Sequence, residues 1–589
     1  MSNKVSFGRV FWPSFLALII VIGGIFGIIS LVISAAIPDV KYGVPSKTVL
    51  HLELKGTVVE NSSRKLSPYD FKVENRIGLS DILYGLENAK TDDRVKGVYI
   101  DLKGVRCGLA SAEEIRKALQ DFQSSGKFLV TYFNGEVVGL KDFYIGSVAE
   151  EKYAFSSTMM EFGGMGMELM YFKGMLDKIG VEMQVIRGSN NDFKSAVEPY
   201  FLTEMSDSAR LQNQVLLDNV WENYRSTIAD DVRKNAEELN TIAEQYQVKR
   251  MDDAFKLGMV DSILYEDEVL NKLVEKSGAA SLKKLKLKNF AEYARNKFYD
   301  DQSTARAKKA NVAVVVAQGE ITKTGSQLSS DKYVKLLREA RLDKHIKTIV
   351  FRVNSPGGSA LASDEIWREV KLANQEKSVI VSMGDLAASG GYYISAPAKR
   401  IFASSNTITG SIGVFGVIPY TGKALEDNLG LSFDRVTTNK HAVLTINQRL
   451  TDEEMNLIQQ EVNTTYQQFM ERVAEGRSLT VDQVNTIARG RVWTGTDALR
   501  VGLIDELGGL KEAIAYAVED AGIEDPIIEY FPARKVNPID AYLEILSEEQ
   551  QESIQMQALP QELLAHFNKL KAIENHVGIQ ARIPEIVLN

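Results

Sequence analysis

The sequence predicts two α/β units in tandem behind an N-terminal transmembrane helix. Three observations carry that expectation. Val10 to Pro38 is a run of 29 residues without a charge. Two later stretches read alike when one is shifted by about 250 positions: VKGVYIDLKGVRCGLASAEEIRKAL (Val95–Leu119) and IKTIVFRVNSPGGSALASDEIWREV (Ile346–Val370). Each runs from a β-branched, buried-type strand through a loop into an amphipathic helix.

The composition is that of a globular protein, with 44% hydrophobic and 25% charged residues among 589. That excludes a disordered chain, a collagen-like fibre and a polytopic membrane protein. The length alone suggests about three or four domains. A net charge of −9 argues against nucleic acid as a partner, because such binding needs a basic footprint. One cysteine, Cys107, leaves no intrachain disulfide, Cys-rich zinc site or CxxC motif. None of the five histidines falls in an HExxH pair or an obvious catalytic context.

Taken in order, residues 1–9 form a short tail containing Lys4 and Arg9, and residues 10–38 form the anchor. About 20 apolar residues suffice to span a bilayer. The two cations place the tail in the cytoplasm and the body on the other side. A cleaved signal peptide is the competing reading, since Ser34-Ala35-Ala36 resembles a cleavage site. The apolar stretch is about twice the length of a signal-peptide core, which favours an anchor that stays.

Residues 46–281 form the first unit and 311–535 the second. VTYFNG (Val130–Gly135) and YIGSVAEEKYAFSST (Tyr144–Thr158) parallel VSMGDL (Val381–Leu386) and YISAPAKRIFASSNT (Tyr393–Thr407). DAFKLGMVDSI (Asp253–Ile263) parallels DALRVGLIDEL (Asp497–Leu507). A period this long means duplicated domains rather than a solenoid of short repeats. Between the units, residues 282–310 are rich in Lys and Arg and read as a solvated helical linker. Residues 536–589 carry helical patches such as AYLEILSEEQQESIQ, read as a C-terminal extension.

The chemistry is split between the units. In the second, TIVFRVNSPGGSA (Thr348–Ala360) runs from a strand into a tight loop, where Pro356 fixes a dihedral and two glycines free the next. Such a loop can aim backbone N–H groups at an anion. The next strand ends in DLAASGGYYIS (Asp385–Ser395), with Ser389 entering a helix. A serine there is a candidate nucleophile, and the N–H groups of Gly358 and Gly390 are candidates for an oxyanion hole. Its proton needs an acceptor, and GSNNDFKSAVEPYF (Gly188–Phe201) in the first unit offers Lys194. A lysine is charged at neutral pH unless burial lowers its pKa from about 10.4. Phe193, Ala196 and Val197 permit such a pocket.

SPGGS, MGDLAASGGYYIS, TITGSIGVFG and FKSAVEPYF, set around a duplication, resemble the long tandem-repeat form of the signal peptide peptidase A (protease IV) family. The resemblance spans the anchor and both repeats and fades in the tail. It implies two tandem domains of the Clp protease/crotonase-like spiral type. It implies a Ser–Lys dyad, Ser389 as nucleophile and Lys194 as general base, with no metal or organic cofactor. It also implies peptide substrates, chiefly cleaved signal peptides. The body then faces the periplasm from the inner membrane, as a homo-oligomer, a tetramer by family resemblance.

The degenerate copy agrees with a split site. KGVRCG (Lys103–Gly108) puts Arg106 and Cys107 opposite Gly357 and Gly358, and EVVGL (Glu136–Leu140) has no serine opposite Ser389. The second unit has no lysine opposite Lys194, and Lys440 in TTNKHAVLTI reads as a surface residue. Ser411, in TGSIG, is the candidate to accept a hydrogen bond from Lys194 and orient it. Asp385 and Asn354 read as turn formers, Tyr392 and Tyr393 as packed residues. Two rivals remain at this point: an acyl-CoA enzyme using the same oxyanion loop, and a non-catalytic membrane scaffold.

Overall fold

A computed structural model describes residues 44–61, 63–66, 73–325, 327–533 and 578–582. The expected anchor, residues 10–38, lies outside them, as do the helical patches of the C-terminal extension. Among the described residues no helix is long and apolar enough to cross a membrane.

Val95–Arg106 is buried along most of its length, as expected of a strand covered on both faces. It pairs in parallel with Thr48–Thr57 on one side and Phe128–Phe133 on the other. The full order of this sheet is Ser262–Ile263, Glu151–Ala154, Phe128–Phe133, Val95–Arg106, Thr48–Thr57, Lys286–Asn289, parallel throughout. The second unit repeats that order: Glu506–Leu507, Arg400–Ala403, Ser378–Ala388, Thr348–Ser355, Val312–Gln318, Ile528–Phe531. It adds Ile408–Gly410, beside the far end of Ser378–Ala388, and Val492–Thr494, antiparallel to it. Helices pack on both, which makes each unit α/β.

The segment read as a solvated linker is integral to the fold. Lys286–Asn289 is the edge strand of the first sheet. The helix Phe290–Lys308 buries Phe290, Tyr293, Ala294, Phe298 and Ala305, an apolar stripe at helical spacing that the charges on its other face obscure. It reaches the second unit too, where Gln302 bonds the backbone of both Ile528 and Tyr530.

A third sheet is built from both units. Its order is Leu328–Ser329, Ile321–Thr322, Gly357–Ser359, Gly578–Arg582, Phe415–Tyr420, Glu182–Arg187. Glu182–Arg187, from the first unit, runs antiparallel to all of Phe415–Tyr420 from the second.

The units are also joined by a buried ionic knot. Arg352, 0% exposed, pairs at 2.7 Å with both Glu60 and Glu114 of the first unit. It also donates to Ser382 Oγ and the Met383 carbonyl. Asn354 and Asp385 do more than shape turns. Asn354 donates to Glu60 and accepts from the Leu386 N–H. Asp385 accepts from both the N–H and the hydroxyl of Ser111, in the first turn of the first-unit helix Leu109–Gln123, a favourable place for a carboxylate. Tyr392 and Tyr393 are buried.

Candidate active site

Ser389 stands where the strand Ser378–Ala388 meets the short helix Gly390–Ser395. Its backbone is at φ 55°, ψ −115°, a conformation that a residue with a Cβ adopts only when its surroundings impose it. They do so here. The Ser389 N–H donates to the Gly410 carbonyl at 2.8 Å, and its own carbonyl accepts from Tyr393 N–H at 2.8 Å. The small side chains Ala387 and Ala388 let this corner sink into the core.

Lys194 arrives from the other unit. The pairing of Glu182–Arg187 with Phe415–Tyr420 carries the chain across, and the following turn is tied down residue by residue. Gly188 N–H donates to the Val414 carbonyl, Phe193 N–H to that of Arg489, and Lys194 N–H to that of Asn191. Gln212, on the long helix Asp207–Val232, donates to the Phe193 carbonyl and Ser195 Oγ while accepting from Val492 N–H. Gly490, at φ 77°, lies flat against Lys194. A Cβ there would fall 2.5 Å from Lys194 Cβ and 2.7 Å from its Cα.

The outcome is a compact, water-shielded cluster. Lys194 Nζ lies 2.7 Å from Ser389 Oγ, 2.9 Å from the Ser411 carbonyl oxygen and 3.0 Å from Ser411 Oγ. Lys194 is 1% and Ser389 0% exposed. Ser411 is held at φ 50° by a bond from its N–H to the Arg491 carbonyl. The structure thus brings Ser389, Lys194 and Ser411 together, although 195 residues separate the first two.

Gly357–Ser359 forms a strand beside the corner, and Gly358 is at φ 154°. A Cβ on Gly358 would lie 2.1 Å from the Ile321 carbonyl oxygen, so no side chain fits. Gly390 is the first residue of the helix that Ser389 precedes, where backbone N–H groups have no partner within the helix. Leu216, Ala388, Ile408 and Val492 form a buried apolar cluster at this corner, with Met167 and Leu386 packed against it.

The other candidates lie elsewhere. Lys440 is an exposed residue paired with Glu453. Burial pushes the Cys107 thiol up to about 12, so it stays protonated and inert. Among the described residues no histidine bonds Ser389; His51, His345 and His441 pair with acids of their own. Gln212 and Gly490 escape the sequence reading. A Gln on a helix and a Gly in a loop carry no signal until the Lys194 turn is seen packed on both.

A model of peptidase family S49 matches residues 122–280 and 371–524, one stretch in each unit. The chain is 33% identical over 487 residues to the chloroplastic serine protease SPPA of Arabidopsis thaliana, covering 81% of this chain and 69% of that one. It is 32% identical over 527 residues to Protease 4 of Haemophilus influenzae, covering 85% and 84%. Among solved structures, a point mutant of ClpP1 from Listeria monocytogenes matches 37% of this chain and 97% of its own, at 16% identity and a TM-score of 0.25.

Proposed function

The chain belongs to peptidase family S49 and is a serine protease, and from that premise we propose that Ser389 is its nucleophile and Lys194 its general base. The observation that carries this is the 2.7 Å separation of Lys194 Nζ from Ser389 Oγ inside the protein. A neutral amine has one lone pair and two N–H groups. The Ser411 carbonyl and hydroxyl oxygens take the two N–H groups. The lone pair is then left facing the Ser389 hydroxyl, which donates into it. Burial favours the uncharged form of a lysine.

Ser389 Oγ attacks the peptide carbonyl as its proton passes to Lys194. The N–H groups of Gly358 and Gly390 hold the oxyanion. Lys194 returns the proton to the leaving amine, and water, activated by the same amine, releases the acyl group. The family resemblance adds the substrates, remnant signal peptides and other unfolded apolar peptides after translocation. The uncharged run Val10–Pro38 supports a single-pass anchor in the inner membrane, with the body on the periplasmic side. The family resemblance adds a homo-oligomer. As a serine protease, the chain is neither the acyl-CoA enzyme nor the inert scaffold.

A fluorophosphonate probe tests the dyad. Wild type is labelled on Ser389, and labelling is lost in Ser389→Ala and Lys194→Ala. Labelling that survives Ser389→Ala would overturn the assignment. External protease added to spheroplasts should digest the body; full protection would reverse the topology.

Two milder variants probe how the base is held. Ser411→Ala removes one of the two acceptors but keeps the carbonyl, so kcat should fall about tenfold, the worth of one buried hydrogen bond. Gly490→Ala pushes the Lys194 backbone off its seat. A displacement of about 1 Å should cost roughly 100-fold in kcat/KM, read with a fluorogenic peptide.

A further inference from the structure

The strand Gly578–Arg582 comes from the far end of the chain, yet it lies in the middle of the composite sheet. On one side it runs antiparallel to the loop strand, with Arg582 opposite Gly357, Ala581 opposite Gly358 and Gln580 opposite Ser359. On the other it runs antiparallel to Phe415–Val417, with Gln580, Ile579 and Gly578 opposite Phe415, Gly416 and Val417. Cα atoms of the helix that begins after Ser389 come within 8 Å of it.

Neighbouring strands lie about 4.8 Å apart, so this segment fills a slot roughly 10 Å wide between two strand edges. Without it those edges present unpaired N–H and C=O groups, a template for one extended peptide. One wall of the slot is the strand holding Gly358, and Ser389 is at its side. A peptide whose carbonyl is to meet both must lie where Gly578–Arg582 lies. The full burial of Ser389 fits the same picture, because a nucleophile with no exposed surface meets substrate only after something is displaced.

We propose that residues 578–582 occupy the substrate slot as a tethered pseudosubstrate and compete with peptides for the active site. This rests on Ser389 and Lys194 being the catalytic pair. The occupant is attached to the same chain, so its effective concentration is high, and incoming substrate must outcompete it. The effect falls on KM, and kcat is left alone.

The test uses the full-length chain. Gln580→Pro removes an N–H from a strand paired on both sides and adds a ring that no central strand accommodates. KM for a fluorogenic apolar peptide should fall about tenfold, with kcat within twofold of wild type. A synthetic peptide of residues 576–584 should inhibit the variant competitively, and the same peptide with Pro at 580 should not. An unchanged KM in a folded variant overturns the proposal. If the variant does not fold, wild type serves: competitive inhibition by the synthetic peptide is expected, and its absence at millimolar concentration overturns the proposal equally. Fluorophosphonate labelling separates the two levels. Missing label on Ser389 defeats the catalytic reading, whereas normal label with unchanged KM defeats the tethered strand alone.

Discussion

Lys194→Met leaves a folded protein that cleaves peptides about 10^4-fold more slowly than wild type. The methionine chain has nearly the length and shape of the lysine it replaces, so it fills the same buried space, but its thioether takes no proton at any working pH. Without a base, the Ser389 hydroxyl stays a weak nucleophile, and a general base contributes up to about 10^4-fold on its own. The loss belongs in kcat, since Lys194 touches the hydroxyl and Ser411 and takes no part in gripping the peptide. Ser389→Ala should lose a similar factor, and the double variant little more, because members of one proton-transfer unit are not additive. A K194M enzyme within tenfold of wild type would remove Lys194 from the mechanism. Near-ultraviolet circular dichroism provides the control for folding.

Arg352→Met has the largest expected effect on stability, about 3–5 kcal/mol. It strands the carboxylates of Glu60 and Glu114, both buried, with no cation between them. The effect depends on pH, and the sign follows from Glu114. Burial pushes its carboxyl up to about 7 from an ordinary 4.5, against the pull of Arg352. A carboxyl raised in the folded state holds its proton more tightly there than in the unfolded chain. Its contribution is therefore full below about 4.5 and is lost as pH rises through about 7. Removing the guanidinium takes away the pull that holds the Glu114 carboxyl down, so R352M should be destabilised more at pH 8 than at pH 5. Urea unfolding midpoints at the two values check this; equal losses at both would contradict it.

Much of the backbone around Ser389 was legible because it depends on local chemistry. Small residues ahead of Ser389, paired glycines at 357 and 358, and a serine after Gly410 are each marked by what a tight backbone demands. The duplication of the α/β unit was legible as well, because parallel strands buried on both faces read as β-branched runs. Contacts between the units left no such mark. Arg352 sits inside TIVFRVNS looking like an interruption of a strand, and only its partners Glu60 and Glu114 explain it. The helix 290–308 was hidden by its own charges, since a lysine-rich face and a buried stripe coexist on one cylinder. The tail shows helical periodicity in its sequence, and the five residues from Gly578 to Arg582 are too few to announce a strand that is fixed by its neighbours.

The pairing of Glu182–Arg187 with Phe415–Tyr420 also sets a clock. Synthesis proceeds from the N-terminus at about 5–20 residues per second, so the 195 positions between Lys194 and Ser389 correspond to roughly 10–40 seconds in which the lysine is made and the serine is not. On the proposed pairing of Lys194 with Ser389, a nascent chain is unarmed through that interval and until the later strand folds onto the earlier one. On that proposal, latency during biogenesis, which many hydrolases obtain from a removable propeptide, comes from the order in which the ribosome delivers the parts.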